Sequence, residues 1–471
     1  MAAYAIQDFK QGMDLRKSYV TAPAGSLRLL RNAIINAGAE IEKRAAFVST
    51  YDAPAGSLGC VSMNGVTYVV ENGAGNVTGP SGRTPGIITI PYQTTYDRVA
   101  SWDLYSGAFY IVMHGTNGRY YHYYGQNFVT DAMATASAVR TYGEKMYGVD
   151  GSLLRFSAID HPDHWTPPTG TTNDGSGWID LSVEDGESVN LVGLEIYYGQ
   201  LAIFSQISTQ FWQVAGDPTQ NAFKQLLRQT GVLSANAVTQ FGNGDIVYLS
   251  PRGVRSVRAQ NVTLTAGVTD VGTPLDNEIR PLIWNYGTPW FTNARTLVEP
   301  RSGRLWLVLQ DRIYVLTTFQ EPTITAWSRF DPPGASGTLI TDACIADPYV
   351  MLRGSDGVIY QYAGWNQGTY DATQAEVITP ALSFDKPHIA KVLQGFDVGC
   401  VGTWSLSVAQ EPTDQTDEEF VATITGATYS PYVGQLLAGT ATHVSLRLRT
   451  TDTQQATLGN LMIFYEGGAE G

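Results

Sequence analysis

The densest group of chemically able side chains is Asp160-His161-Pro162-Asp163-His164-Trp165, which holds two imidazoles and two carboxylates. Such nitrogen and oxygen donors suit a transition metal. Pro162 works against it, because a fixed φ disfavours a helix and keeps His161 and His164 off adjacent helical turns. The competing reading is a turn that sends Trp165 into an apolar seam while His and Asp cap the loop. Oxygen ligands for calcium gather at Asn173, Asp174 and Asp180, and again at Glu184, Asp185 and Glu187. Neither group has the full ligand series of an EF-hand, so exposed turn acids are expected. Six histidines make a Ser-His-Asp triad arithmetically open, yet no G-x-S-x-G, H-E-x-x-H or G-x-x-x-x-G-K-[ST] run occurs. Cys60, Cys344 and Cys400 lie far apart and match no metal spacing, so buried reduced thiols are expected. The expectation is a non-enzymatic chain with no catalytic residue, no metal site and no cofactor.

Two further groups bear on partners. Arg28, Arg31, Lys43 and Arg44 form a basic head, a candidate partner interface for an acidic ring component or passing DNA phosphate; a solvated strand or helix face is the alternative. Residues 1–50 hold seven Lys/Arg against four Asp/Glu (+3), leaving 22 against 39 (−17) in the remainder, for a total of −14. An acidic body cannot neutralise many phosphates, so tight nucleic-acid binding is not expected. Trp284, Tyr286 and Trp290 in NEIRPLIWNYGTPWF would suit a glycan, with core packing or a subunit contact as the plainer reading.

The elements that position these residues are strands. Tyr 26, Trp 10, Phe 16 and Gly 49 beside 15% charged residues favour pleated surfaces joined by tight turns. Hairpins recur: AFYIVMHGTNGRYYHYYG from Ala108, KMYGVDGSLLRFS from Lys145, QLAIFSQISTQFWQV from Gln200, DIVYLSPRGVRSVRA from Asp245, RLWLVLQDRIYVLTTF from Arg304 and YVMLRGSDGVIYQYA from Tyr349. A weaker copy starts at Cys60. The first-residue intervals 37, 55, 45, 59 and 45 bracket the roughly 40 to 50 residues of a four-stranded propeller blade. A lone hairpin cannot bury both faces, so radial repetition supplies the core. The expected fold is all-β: a β-propeller of six or seven blades over residues 46–371, followed by a β-sandwich over 372–471. Residues 1–45 are read as an opening segment partly joined to the propeller, a mixture of short helix and strand. DHPDHWTPPTGTTNDGSGW and AGDPTQNAFKQLLRQTG read as long connectors, where interfaces tend to lie. The N-terminus lacks an apolar run of signal-peptide length, and no stretch approaches the roughly 18 apolar residues of a membrane span, so a soluble chain without membrane insertion is expected.

The run LLRFSAIDHPDHW, then Leu194-Glu195-Ile196 with a hairpin from Phe204 to Phe211-Trp212, then Gly231, a small-residue segment, Leu249-Ser250 and a turn at Gly253, resembles the tail nozzle family of short-tailed bacteriophages, also called packaged-DNA stabilisation or tail tubular B-like proteins. AGSLRLLRNAIINAGAEIEKRAAF is similar to that family's opening. The resemblance spans roughly residues 20–365 as an ordered pattern. It implies a homo-oligomer, a hexameric virion-tail ring made and assembled in the host cytoplasm, below the adaptor or connector ring and above distal fibre, spike or needle proteins. Such a ring retains packaged DNA and conducts it during ejection without gripping it, and the residues lining the DNA channel are left unassigned. The rival reading is a tail-associated propeller that binds or depolymerises glycan.

Overall fold

The computed structural model describes residues 2–467 except 55, 74–76, 80, 82–83, 92–94, 116–119, 125–126, 131–135, 168–172, 187–189, 243, 260–269, 367, 412–413, 415–416 and 427–439. The chain opens with β1 (Ala2–Ile6), β2 (Leu29–Arg31), β3 (Ala33–Ile35), β4 (Ile41–Lys43) and β5 (Phe47–Asp52). No helix forms between residues 20 and 45, contrary to one expectation. Asn32 and Ala39 sit at φ 53 and 61, and the Asn36 side chain accepts the N–H groups of Gly38 and Glu40, which turns the chain too tightly for a helix.

Seven blades follow among the described residues. Their inner strands are Ser57–Met63, Arg98–Tyr105, Ala138–Tyr142, Leu191–Tyr197, Val238–Phe241, Arg295–Val298 and Ile340–Ala346. Each inner strand packs on the next, and the seventh packs on the first, so the ring is closed. The six clear hairpins are the second and third strands of blades 2 to 7, whereas the Cys60 hairpin is the first and second of blade 1. The fourth strand of blade 7 is β5, paired antiparallel with Val358–Tyr362, so a segment from one end of the chain fastens the last blade. Among the described residues blade 5 has three strands, and a helix, Asp276–Tyr286, stands before blade 6 within the 59-residue interval. The Ala222–Arg228 piece of the second long connector is the outer strand of blade 4, not a loop. It escaped a strand reading because an edge strand is largely exposed and its sequence is correspondingly polar.

The sandwich draws on both ends of the chain. One sheet runs β3, β4, Thr457–Gly467, Lys391–Val401, Thr440–Ala441, with β1 on Thr457–Gly467. The other runs β2, Ala375–Ile378, Ser445–Thr450, Thr403–Ala409, Glu418–Thr425. On its far side β2 pairs in parallel with Ile324–Phe330, the outer strand of blade 6, so blade and sandwich share one nine-stranded sheet. Residues 1–45 therefore belong mainly to the sandwich, because strands of three to five residues need the edges of larger sheets to persist.

Packing follows the same plan. Separate apolar clusters fill the seams between blades 1 and 2, 2 and 3, 3 and 4, 6 and 7, and 7 and 1. A single larger core runs from blade 4 through blades 5 and 6, the helix and both sandwich sheets, and includes Phe9, Leu30, Tyr248, Ile279, Trp327 and Trp404. Gly12 lets the N-terminal segment cross blade 6, since it lies at φ 55 and a Cβ there would sit 2.6 Å from the Ala326 methyl. Among the described residues no helix is long and apolar enough to cross a membrane.

Candidate functional site

The basic head lies where propeller and sandwich join. Lys43 and Arg44 are 0% and 2% exposed, so they are not the surface interface expected for them. Lys43 donates to the carbonyls of Asp371 and Asp452, tying the inter-domain connection to the sandwich, and burial lowers its pKa. Arg44 donates to the Ala45 carbonyl and the Asn32 side chain, approaches Asp371 at 3.3 Å and lies 4.5 Å over the Phe47 ring. A buried cation needs such partners, and here the chain supplies them itself. Arg31 is more open: its Nε meets both Asp331 oxygens at 2.9 Å, and Glu376 lies 3.8 Å away. The Asp331 hydrogen bond holds the Arg31 guanidinium above its ordinary pKa. Arg28 donates to the carbonyls of Lys17 and Asp14.

Asn32 is the hub that sequence reasoning missed. It is wholly buried; its Nδ2 donates to Asp331 and to the Gln374 carbonyl, and its Oδ1 accepts from the Asp331 N–H and Arg44 Nε. The local sign is an Asn set between the short strands Leu29–Arg31 and Ala33–Ile35 at a left-handed φ, which Asn tolerates best among residues with a side chain.

The second candidate is the propeller axis, where a cavity of about 390 Å³ is bordered by the inner strands of blades 2 to 7. Its charges pair between blades. Arg140 of blade 3 donates to Glu195 of blade 4 at 2.6 Å and lies 3.9 Å from Asp103 of blade 2. Arg295 of blade 6 pairs with Asp342 of blade 7, and Asp342 accepts the Cys60 N–H of blade 1. Burial opposes the Arg140 charge, but Glu195 and Asp103 outweigh it and raise its pKa. Burial also pushes the Glu195 carboxyl up despite Arg140, because Glu195 is the more enclosed partner. Asn236, just before the blade 5 inner strand, donates to the Ala100 carbonyl of blade 2 at 2.6 Å. Blades 2 and 5 stand three places apart in a ring of seven, so this bond crosses the axis.

The other expected sites resolve into structure. His161 and His164 stack at 5.2 Å, Asp160 accepts from the Tyr105 hydroxyl, and Trp165 is buried in the seam between blades 2 and 3. Burial, aided by Asp160, pushes the Tyr105 phenol up to about 12. Asp174 and Asp180 each accept the N–H and hydroxyl of the serine two residues on, Ser176 and Ser182, which leaves them as turn acids; Glu187 lies outside the described residues. Among the described residues no cluster of three or more His, Cys, Asp or Glu side chains is placed to hold a metal. An Asp97–His114 pair at 2.8 Å stands near one mouth of the propeller, but the hydroxyls there, Ser137 and Ser234, donate to backbone carbonyls. Trp284 and Tyr286 are 74% and 56% exposed, and Tyr286 stacks on Trp290 at 5.1 Å. Gly231 of the quoted pattern has a local cause: a Cβ there would fall 1.9 Å from the Gln206 carbonyl oxygen.

The strand pairing defines a seven-bladed propeller fused to a two-sheet sandwich. No family model and no curated protein matches the chain. Among solved structures it is similar to Kluyveromyces lactis Hsv2 with a complete loop 6CD (12% identity, 62% of this chain and 75% of that one, TM-score 0.32). It is also similar to a luciferin-regenerating enzyme (12% identity, 58% and 93%, TM-score 0.36) and to the computationally designed Ika8 protein (11% identity, 76% and 99%, TM-score 0.33). At these scores the similarities carry no argument about what the chain does.

Proposed function

We propose that this chain is a structural subunit of a short-tailed phage tail, a nozzle component that assembles as a ring of six below the head-to-tail connector, retains packaged DNA and conducts it during ejection. The supporting observation is the join between domains: a nine-stranded sheet crosses it and the buried Asn32, Lys43 and Arg44 brace it. Two domains joined through one sheet in this way suit a part that bears load between neighbours. No catalytic role is proposed for it. The residue order that resembles the nozzle family supports the same reading.

The axial cavity bears on where DNA would run. It is crossed by Asn236 and is far too small for a duplex whose major groove alone is about 12 Å wide. In this reading the conduit lies between copies, around the axis of the assembly. Six copies carry 6 × −14 = −84 charges, and acids facing the lumen would repel phosphate over about 8 Å at physiological salt. The rival, a glycan-binding or glycan-cleaving tail propeller, is favoured by exposed Trp284 and Tyr286. Negative-stain imaging of the purified chain, alone and with its connector, separates the two. Sixfold rings with an open centre are expected. A monomer that releases reducing sugar from bacterial polysaccharide would instead establish the rival.

A further inference from the structure

The ring of blades closes between blade 7 and blade 1, and that seam carries two of the chain's three cysteines. Cys60 lies on the inner strand of blade 1 and Cys344 on the inner strand of blade 7; both are buried in the cluster that fills this seam. The two inner strands pack side by side where the ring closes, and both side chains belong to the one apolar cluster there. The seam's other ties are noncovalent: the Cys60 N–H on Asp342, the Ser62 hydroxyl on the Ile345 carbonyl, and Arg353 on Ser57. At the outer edge β5 pairs with Val358–Tyr362 and completes the last blade.

We propose that Cys60 and Cys344 join as a disulfide under oxidising conditions and staple the propeller shut. The proposal is independent of the assembly reading. Cys344 borders the axial cavity, which gives a small oxidant its way in. Cys344 lines that cavity whereas Cys60 is wholly buried, so the exchange starts at Cys344. With a small disulfide RSSR as oxidant, the Cys344 thiolate attacks one sulfur and releases RS⁻. The Cys60 sulfur then loses its proton, attacks the Cys344 sulfur of the mixed disulfide and expels the second RS⁻. The two protein thiols are oxidised and RSSR is reduced to two RSH. Cys400 takes no part: it lies in the sandwich and donates to the Gly426 carbonyl.

The bond would close a loop over nearly the whole propeller, from residue 60 to residue 344. Cross-links of long loops restrict the unfolded chain most, so unfolding in urea should slow by at least about tenfold if opening this seam limits it. The test treats the reduced full-length chain with hydroxyethyl disulfide, maps non-reduced peptides by mass spectrometry, and compares unfolding rates before and after. A Cys60 peptide joined to a Cys344 peptide, a fall from three free thiols to one, and slower unfolding are expected. Cys60→Ala and Cys344→Ala should each abolish both the link and the slowing, while Cys400→Ala should keep both. The proposal is overturned if all three thiols survive, if Cys400 is in the linked pair, or if the linked chain unfolds at the reduced chain's rate.

Discussion

Asn32 shows how one uncharged side chain can set a domain junction. With Asp331, Gln374 and Arg44 around it, truncation would strand several buried donors and acceptors at once. Asn32→Ala should therefore destabilise the chain by about 2–4 kcal/mol, read from urea unfolding; a change under about 0.5 kcal/mol would remove its hub role. Arg31 gives a sharper test of sign. Arg31→Glu sets a third carboxylate beside Asp331 and Glu376, so its urea midpoint should fall further than that of Arg31→Gln. Equal midpoints would show that the charges there are screened. Arg31 reversal thus tests the junction before it tests any docking surface. Lys43 and Arg44 were legible as a basic cluster but not as buried braces. Lys and Arg are normally solvated, and the groups that bury these two lie 328 and 409 residues away for Lys43 and 327 for Arg44. That Cys60 and Cys344 share one apolar cluster was hidden for the same reason, since only ring closure brings residues 60 and 344 together.

At the scale of elements, legibility followed burial. The second strands of blades 2 to 7 are buried along nearly their whole length, so their hairpins stand out as apolar runs around short turns. Outer strands such as Ala222–Arg228, and the three-residue β2, β3 and β4, have too little pattern to announce themselves, although β2 joins two domains. Leu30, wholly buried at the centre of β2, tests that role: Leu30→Ala should lower stability by about 2–5 kcal/mol and make the sandwich cleavable by protease while the propeller stays intact. Unchanged protease resistance would mean that the sheet does not depend on β2. The sandwich also predicts a pH response. Burial alone would raise the Glu418 pKa, but hydrogen bonds from Arg449 and Arg447 outweigh it and leave it lowered from 4.5. A lowered folded-state value stabilises the chain above pH 4.5 and loses that contribution as pH falls through the lower folded value. Glu418→Gln should thus shrink the drop in urea midpoint between pH 7 and pH 3, and a drop as large as that of the unaltered chain would assign the effect to other acids.

The whole molecule combines two domains joined by a shared sheet, a propeller axis crossed by Asn236 and an acidic balance, and the three together constrain how it can meet DNA. A chain of net charge −14, whose four candidate head cations are drawn into internal hydrogen bonds at the junction, presents few ready partners for phosphate. Counterion release makes phosphate contact strongest at low salt, so about 50 mM is the most favourable condition in which to look for it. There the purified chain should leave duplex DNA unretarded in a mobility-shift gel. Ring particles formed with the connector should pass the same test, because a conduit that retains and then releases a genome works by confinement and not by adhesion. Micromolar retention that fades steeply with added salt would reveal a basic track, and would move the proposed role from passive conduit to DNA clamp.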